Sequence, residues 1–540
     1  VWIASGTYVP VDRPNGGNEA DNRTKHFSLR NNVAVYGGFA GTETSLGERD
    51  LLANETILSG DFNGNDVYDA DSGQCLSGNG ENATIVFNHP SGMVVLDNTA
   101  TLNDVTIRGG SGNYGGGMNN ASASKPVLNR CVFSGNRATY SGGAVNNSQG
   151  AAPVLRDCVF RGNITGTDLV SGNAGGGAVY EGTNTGSVYE NCTFYRNGTA
   201  VNGGGMNLAG GATTLSNCTF YRNTARSSGG GVHVQTGSSV TLVNCTIVEN
   251  SAASNSGIYA SGSNKQLINC IVWGNMVSSG LAASHCIVQG GYEGTGNIDA
   301  DPLLLVQRDY NNTPTVLHIL GGSPAIDSGM TQVEAPEGVT IPASDYRGIT
   351  RSSMRPTIGA YEWRQTAVAI DSQPQASGET PVKGSTVTIS ANTNNGVRYE
   401  WYYKRNESVD YSLVGETATP SWSFNAGADT YGWYVMVAYD ADGNPQPAEV
   451  VKVRSPRVYV STTGSDENDG SSWATAVASV QHAINNCFDN EVWIASGTYV
   501  PVDRPNGGNE ADNRTKHFSL RNNVAVYGGF AGTETSLGER

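Results

Sequence analysis

Residues 191–206 read NCTFYRNGTAVNGGGM, and residues 217–232 read NCTFYRNTARSSGGGV. In the first stretch Cys192 and Phe194 flank a single polar residue, and the second stretch repeats this order. Alternation with a period of two is typical of a β-strand whose apolar side faces inward. The glycine cluster that follows allows a tight turn with positive φ before a second short strand. A third short strand, ending in leucine before the cysteine, completes the unit.

This unit recurs at intervals of 26, 27, 34, 26, 27, 25 and 16 residues, counted from Val105, which holds the cysteine position one unit earlier. Three strands in about 26 residues leave no room for a crossover helix, so the pattern predicts an all-β solenoid, a parallel β-helix with coils ~4.8 Å apart. The cysteine column is Cys131, Cys158, Cys192, Cys218, Cys245, Cys270 and Cys286. We expect buried, stacked thiols, with a metal site or disulfide ladder as the alternative.

A second column of the repeated unit contains asparagine. Its members are Asn136, Asn163, Asn197, Asn223, Asn250 and Asn275. In a parallel β-helix these residues would stack in register, and side-chain amides can then donate to and accept from the coils on either side. The column therefore predicts an amide ladder along the solenoid.

A much longer period overlies the short one. Residues 492–540 repeat residues 1–49 without change, at a constant offset of 491. This predicts one period of a tandem array followed by the start of the next, with neighbouring copies of the repeat as partners. Rods and multivalent adhesins gain reach and avidity from identical copies, whereas enzymes rarely need them. We also expect a cap equivalent to residues 458–491 to precede residue 1, because an uncapped β-helix exposes strand edges.

Composition favours an extracellular or cell-surface protein. Glycine accounts for 71 of 540 residues, and the formal net charge is −16 without any run of Lys or Arg. An acidic chain of this kind is a poor ligand for nucleic acid or for an anionic membrane surface. No stretch approaches the roughly 18 apolar residues of a membrane span. The sequence therefore predicts no nucleic-acid partner and no membrane insertion in this segment.

Residues 364–457 lack the glycine-rich coils. Longer alternating stretches appear at 385–390 and 398–403, and Trp401 stands in the context of a third strand. About 90 residues of this type are typical of an immunoglobulin-like β-sandwich. The expected domains are a β-helix at 1–363 without the first part of its N-terminal cap, the sandwich at 364–457, and the cap and first coils of the next β-helix at 458–540.

Several motifs resemble those of large secreted bacterial proteins. The Phe-x-x-Asn motif at 133–136 and the Gly-Gly-Ala-Val motif at 142–145 resemble the repeats of polymorphic outer-membrane adhesins. The coils resemble right-handed parallel β-helices of the pectin-lyase-like fold, and 458–475 resembles their opening segment, which implies a capping helix near 474–487. The segment 364–457 resembles bacterial surface immunoglobulin-like modules. Residues 323–329, 345–348 and 358–362 resemble a choice-of-anchor closing segment.

The resemblance to the pectin-lyase-like fold also implies an alternative function, a polysaccharide lyase or glycoside hydrolase carried in multiple copies. Glycoside hydrolysis needs two carboxylates at a set distance. Carboxylates in the coils are sparse, and Asp104 and Asp157 share a column two coils apart with Arg130 between them. We interpret these three residues as a salt-bridge ladder and His233 as a solvated strand histidine. The sequence thus predicts a structural and adhesive repeat without catalytic residues.

Two loops offer oxygen ligands of the kind that Ca²⁺ prefers. Residues 61–66 and 466–470 each contain several Asp and Asn residues. Neither loop has the spacing of an EF-hand, and Asp, Asn and Gly also form ordinary turns. No cofactor is expected, and Ca²⁺ is the one candidate ion.

One outward-facing column suggests a binding surface. The residue three positions after the cysteine should point away from the core, and in three coils it is aromatic. Aromatic rings beside hydrogen-bonding groups suit sugar rings, so the column predicts an exposed stripe that binds glycans or another surface weakly. The alternative is that these side chains cover coil edges or contact a loop. The predicted ligand-binding residues are Tyr195, Tyr221, Trp273, Arg161, Arg196 and Arg222.

Overall fold

The chain, described here from a computed structural model, divides into two compact units, Val1–Trp363 and Arg364–Arg540. The structure describes residues 1–51, 53–166, 175–308, 314–364, 366–378, 380–405, 411–427, 429–441, 443–505, 513–521 and 523–540. Within these ranges no helix has the length and hydropathy of a membrane span. Regular structure is almost entirely β-strand.

The first unit is a right-handed parallel β-helix, which confirms the predicted fold class. One coil runs from Val127–Asn129 through Val132–Ser134 and Arg137–Ser141 to Val145–Asn147, and each strand joins a different sheet. The first turn of this coil uses Arg130 with φ 50°, and several other coils place asparagine there. Asparagine enters the left-handed region more readily than most residues. The chain therefore turns between two sheets within two residues.

Four parallel sheets, here called A to D, run along the solenoid. Sheet A contains Trp2–Ala4, Ala34–Phe39, Thr101–Asn103, Val127–Asn129, Val154–Arg156, Val188–Glu190, Gly211–Ser216, Ser238–Val243, Lys265–Ile268 and Ala282–Ser284. Sheet B contains Gly6–Tyr8, Thr56–Ser59, Thr106–Arg108, Val132–Ser134, Val159–Arg161, Thr193–Tyr195, Thr219–Tyr221, Thr246–Val248, Ile271–Trp273 and Ile287–Val288.

The other two sheets are shorter. Sheet C contains Phe87–His89, Met118–Asn120, Val145–Asn147, Val179–Glu181, Met206–Leu208, Val232–Val234 and Ile258–Ala260. Sheet D contains Ser111–Tyr114, Arg137–Ser141, Ile164–Thr165, Gly198–Thr199 and Thr224–Ala225. Outside the coils lie the antiparallel pairs Val67–Tyr68 with Cys75–Ser77 and Leu304–Arg308 with Pro314–Ile319, and the 3-10 turns Asn22–Thr24 and Leu46–Glu48.

Matching side chains of successive coils stack inside the solenoid. The rings of Phe133, Phe160, Phe194 and Phe220 follow one another with centroids 5.0, 4.7 and 4.4 Å apart. Burial of each ring contributes roughly 1.5–3 kcal/mol. The seven cysteines of the repeated unit are fully buried with free thiols, which confirms the predicted inward column. Their thiols donate to carbonyls of the preceding coil.

The asparagine column forms the predicted ladder. Asn163 Nδ2 donates to Asn197 Oδ1 at 2.9 Å, and Asn197 Nδ2 donates to Asn223 Oδ1 at 2.9 Å. Asn197 Nδ2 also donates to the Phe160 carbonyl, at 2.9 Å. A buried amide without partners would destabilise the fold by about 1–3 kcal/mol. The ladder therefore accounts for the recurrence of asparagine at this position.

The second unit contains two antiparallel sheets and a small parallel layer. One sheet contains Ala369–Ala376, Thr386–Asn394 and Ser421–Asn425, and the other contains Arg398–Lys404, Ser412–Thr417, Gly432–Tyr439, Pro445–Pro447 and Val451–Val453. Val387, Trp401 and Met436 share one core between these sheets, as in a β-sandwich. The parallel layer contains Val458–Val460, Asn490–Ala495 and Val524–Phe530, with the 3-10 turns Trp473–Thr475, Asn513–Thr515 and Leu537–Glu539. The helix Val480–Asn486 packs on this layer and lies within the expected capping helix.

Candidate functional site

The predicted aromatic stripe is buried. Tyr195 and Tyr221 lie outside the inner core, as predicted, but only 0% and 1% of their surfaces are exposed. They share an apolar cluster with Ile358, Ala360 and Tyr361, which belong to the segment after the coils. The prediction of an exposed stripe is therefore wrong, because this later segment packs against sheet B and excludes solvent.

A loop between the early coils covers the neighbouring part of the stripe. Tyr195 donates its hydroxyl to Asp71 Oδ1 at 2.8 Å, and Arg196 pairs with the same carboxylate at 2.7 Å. The loop also lies against Arg161, since a Cβ added at Gly73 would be 3.0 Å from Arg161 Nε. These predicted binding residues therefore contact the protein's own loop.

The two remaining predicted residues also contact their own fold. Arg222 pairs with Glu249 at 2.8 Å, and its guanidinium lies 5.1 Å from the ring centre of Tyr221. Trp273 is half-buried and packs at the edge of the same apolar cluster. The alternative interpretation, in which this column contacts a loop, is the one that the structure supports.

Charged groups anchor the segment that covers sheet B. Arg351 is buried and donates to Asn217 Oδ1 at 2.7 Å and to Glu362 Oε2 at 3.1 Å. Arg347 pairs with the fully buried carboxylate of Asp345 at 2.7 Å. Burial lowers the pKa of Arg351, while Glu362 and Asp345 oppose that shift. Removal of one partner from such a buried pair leaves an uncompensated charge, so this network holds the cover in place.

The outer face of sheet C carries a second polar column. Outward-facing residues alternate with inward ones such as Met118 and Asn120. Asn119 Nδ2 donates to Asn88 Oδ1 at 3.1 Å, and Asn146 Nδ2 donates to Asn119 Oδ1 at 2.9 Å. Asn88 and Asn119 are half-buried, whereas Asn146 is 5% exposed and Asn207 is 0% exposed, so the first two amides are the ones that a ligand can reach. We call this column the amide face; it contains Asn88, Asn119, Asn146, Tyr180, Asn207, His233 and Tyr259.

His233 is held within the amide face. Its ring stacks on Tyr259 with centroids 4.8 Å apart, and its Nδ1 lies 2.9 Å from Asn207 Oδ1. Only 7% of its surface is exposed, so the prediction of a solvated histidine is wrong. Burial lowers the pKa of His233 to about 4. The ring is therefore neutral at neutral pH.

Two tyrosines of sheet D stand beside the first coils of the amide face. The rings of Tyr114 and Tyr140 lie on adjacent coils with centroids 5.4 Å apart. Tyr114 is 49% exposed and Tyr140 is half-buried. Ser141 donates to Asn146 Oδ1 at 2.9 Å, and a Cβ added at Gly115 would lie 3.0 Å from Asn146 Cβ. These contacts place Asn146 beside Gly115 and Ser141, the residues that directly follow the two tyrosines.

Sequence reasoning missed this tyrosine pair, although a signal was present. Tyr114 directly precedes one glycine cluster, and Tyr140 precedes the next by two residues. A glycine turn at the edge of a coil keeps its flanking side chains near the surface. An aromatic residue before the cluster in two successive coils therefore indicates an outward pair.

The comparisons with known proteins support the fold. A family model described as the right handed beta helix region matches residues 163–293. The fold is a right-handed β-helix. No curated protein matches the sequence, and no solved structure matches it. Because this fold occurs in enzymes and in non-enzymes, the function has to be argued from the surface itself.

The nearest carboxylate along sheet C points away from the amide face. Glu181 follows Tyr180 and faces the interior, where it accepts from Tyr189 at 2.6 Å and from Asn147 at 2.7 Å. Burial raises the pKa of Glu181. Within the described residues, the amide face itself contains amides, two tyrosines and one histidine, so a carboxylate pair for hydrolysis would have to come from another element.

The ionic ladder in the turns between sheets A and B is present in part. Asp104 is buried and pairs with Arg130 at 2.5 Å and with Arg49 at 2.6 Å. Asp157 accepts from Asn191 Nδ2 at 3.0 Å. These contacts confirm the Asp104–Arg130 half of the predicted ladder and show that Arg49 binds the same carboxylate.

The two loops considered for Ca²⁺ direct their carboxylates at backbone N–H groups. Asp61 Oδ1 accepts from Gly64 at 2.7 Å, and Asp466 Oδ1 accepts from Ala478 and Ser479 at 3.0 and 2.8 Å. In the part of the chain that the structure describes, no three His, Cys, Asp or Glu side chains converge as metal ligands. Asp61 and Asp469 form ordinary Asx turns with Asn63 and Ser471, whereas Asp466 accepts from backbone N–H groups 12 and 13 residues further along the chain.

Proposed function

We propose that this chain is a structural and adhesive repeat of an extracellular or cell-surface protein. Its β-helix and an immunoglobulin-like sandwich alternate along a stiff rod, and glycans bind weakly at the amide face beside Tyr114 and Tyr140. The observation that carries the proposal is the unchanged recurrence of residues 1–49 as residues 492–540. A molecule built from identical copies gains length and avidity with each copy.

The solenoid supplies the stiffness of the proposed rod. Successive coils hydrogen-bond to each other, and the Phe, Cys and Asn columns repeat similar contacts in the coils that contain them. Ten strands in sheet A, ~4.8 Å apart, give an axial length of about 45 Å. In the proposed array, the sandwich of the second unit follows each β-helix in sequence and precedes the next one.

The glycan site is proposed from the chemistry of its surface. Tyr114 and Tyr140 offer an aromatic platform, and we take the ~0.5–1.5 kcal/mol of a pair of aromatic rings as the scale for a sugar ring stacked on it. The half-buried Asn88 and Asn119 hold amide groups at the spacing of successive coils, and the buried Asn146 fixes Asn119 from the next coil. Amide donors and acceptors match sugar hydroxyls. One such site binds weakly, and many copies on a rod convert weak binding into adhesion.

The proposal is tested with glycan-coated surfaces and proteins that carry one, two or four copies of residues 1–491. We expect adhesion to rise more than in proportion to copy number, with no shortening of the glycan. Equal binding per copy would contradict multivalent adhesion. Release of unsaturated or reducing ends would instead establish the alternative, a polysaccharide lyase or glycoside hydrolase.

A further inference from the structure

A long loop of the first unit is anchored along sheet C. Residues 9–31, here called the strap, connect the first strand of sheet B to the second strand of sheet A. Phe27 forms a parallel bridge with Phe87, and the centroids of their rings lie 5.5 Å apart. Leu29 is buried and belongs to the core of the solenoid. The strap therefore extends sheet C by one short step beyond its first strand, Phe87–His89.

Two buried histidines hold the strap by accepting hydrogen bonds from its backbone. His89 Nε2 accepts from the Leu29 N–H at 2.9 Å, and His26 Nε2 accepts from the Asn15 N–H at 3.3 Å. Because Nε2 of His26 accepts, Nδ1 carries the proton and donates to the Thr24 carbonyl at 2.9 Å. Both histidines are 3% exposed. An imidazole nitrogen accepts a hydrogen bond only while it carries no proton, so both backbone contacts require neutral rings.

The surroundings of the two rings do not compensate a positive charge. In the described part of the chain, neither ring bonds to a carboxylate. Burial and the charge of Arg13 lower the pKa of His26, although the Thr24 carbonyl opposes this shift. Burial, and after it the neighbouring His26, lower the pKa of His89 to about 4. On the next coil the register neighbour of His89 is Asn120, a neutral amide. Protonation of both rings would therefore place like charges together in a buried site.

We propose that the strap is a pH-dependent switch, closed on sheet C while His26 and His89 are neutral and released when acid protonates them. Protonation removes the two acceptors that hold the strap backbone and adds charges that repel each other. In the closed state Asn15 Nδ2 also donates to the Asn88 carbonyl. Release therefore uncovers the backbone edge of Phe87–His89 and the end of the amide face at Asn88. This inference goes beyond the proposed adhesive function, because it concerns the state of the surface and not its ligand.

The direction of the switch follows from the proton affinity of each state. In the released strap the rings are solvated and bind a proton near pH 6.5, whereas His89 in the closed strap binds it only near pH 4. The closed state is therefore fully favoured above pH 6.5 and becomes less favoured as the pH falls through this interval. For His89 alone, the opening constant should rise on the order of 100-fold between pH 7 and pH 4, and His26 adds to this rise.

Hydrogen–deuterium exchange of the full chain, read by mass spectrometry, measures this opening. Peptides from 9–31 report on the strap, and peptides from 127–161 report on inner coils. After correction for the intrinsic exchange rate at each pH, we expect strap opening to rise on the order of 100-fold between pH 7 and pH 4, while the inner coils stay protected. The double change of His26→Gln with His89→Gln should abolish the rise, because a glutamine amide does not titrate.

His233→Asn is the matched control. It removes another buried histidine with a pKa of about 4, which lies five strands further along sheet C, and it should keep the full rise of strap opening. The inference is overturned by a wild-type strap that is equally protected at both pH values, by inner coils that open together with the strap, or by a rise that persists in the double variant. If the double variant already exchanges fast at pH 7, the wild-type and His233→Asn profiles decide.

Discussion

Two tyrosine pairs, each formed by residues of adjacent coils, have opposite surroundings in the same solenoid. The rings of Tyr195 and Tyr221 are 5.7 Å apart and buried, while those of Tyr114 and Tyr140 are 5.4 Å apart, with Tyr114 49% exposed. The spacing of the coils produces both pairs. Exposure depends on whether a segment from elsewhere in the chain covers the pair. The segment that contains Tyr361 packs on Tyr195 and Tyr221. Pairing is therefore a local property of the repeat, and accessibility is not.

The largest expected difference between the pairs is in stability. Tyr195→Ala removes a buried ring and its hydrogen bond to Asp71, so the free energy of unfolding should fall by about 3–5 kcal/mol. Tyr114→Ala, the matched change in the exposed pair, should change it by less than about 0.5 kcal/mol. Urea denaturation followed by circular dichroism measures both values. Equal losses would show that the two pairs are packed alike.

A second prediction concerns the amide face and how its residue His233 makes the stability of the fold depend on pH. The unfolded chain binds a proton at His233 near pH 6.5, whereas the folded chain binds it only near pH 4. Stability from this group is therefore present above pH 6.5 and is lost as the pH falls through that interval. Between pH 7 and pH 4.5 the wild type should lose about 1–3 kcal/mol more than His233→Asn. Identical pH profiles would mean that His233 is solvated.

A third prediction compares the buried and the open amide ladders. Asn197→Ala leaves its buried neighbours Asn163 and Asn223 each without one partner, and we expect a loss of about 1–3 kcal/mol. Asn119→Ala on the half-buried amide face should lose less than about 1 kcal/mol, because water replaces the missing partner. Thermal melting of both variants checks this order. A greater loss for Asn119→Ala would mean that the amide face, and not the Asn197 column, is the ladder that solvent does not reach.

Local pattern predicted much of the fold. The period-two alternation placed Cys192 and Phe194 inside, and the Asn197 column formed its ladder, because each depends on the next coil only. The same pattern gave the outward direction of Tyr195 but not its burial, since Tyr361 lies 166 residues away in sequence. His233 became buried through its stack on Tyr259, a packing effect that a strand pattern does not encode.

The most direct measurement of the central claim is the affinity of single chains for a library of oligosaccharides. We expect weak binding by the wild type and by Tyr8→Ala, which removes an exposed tyrosine from sheet B. The double change of Tyr114→Ala with Tyr140→Ala should weaken binding by at least about tenfold, the effect of losing roughly 1.4 kcal/mol from two stacking contacts, with an unchanged melting temperature. Undiminished binding by the double variant would contradict the claim that the open tyrosine pair is the glycan site.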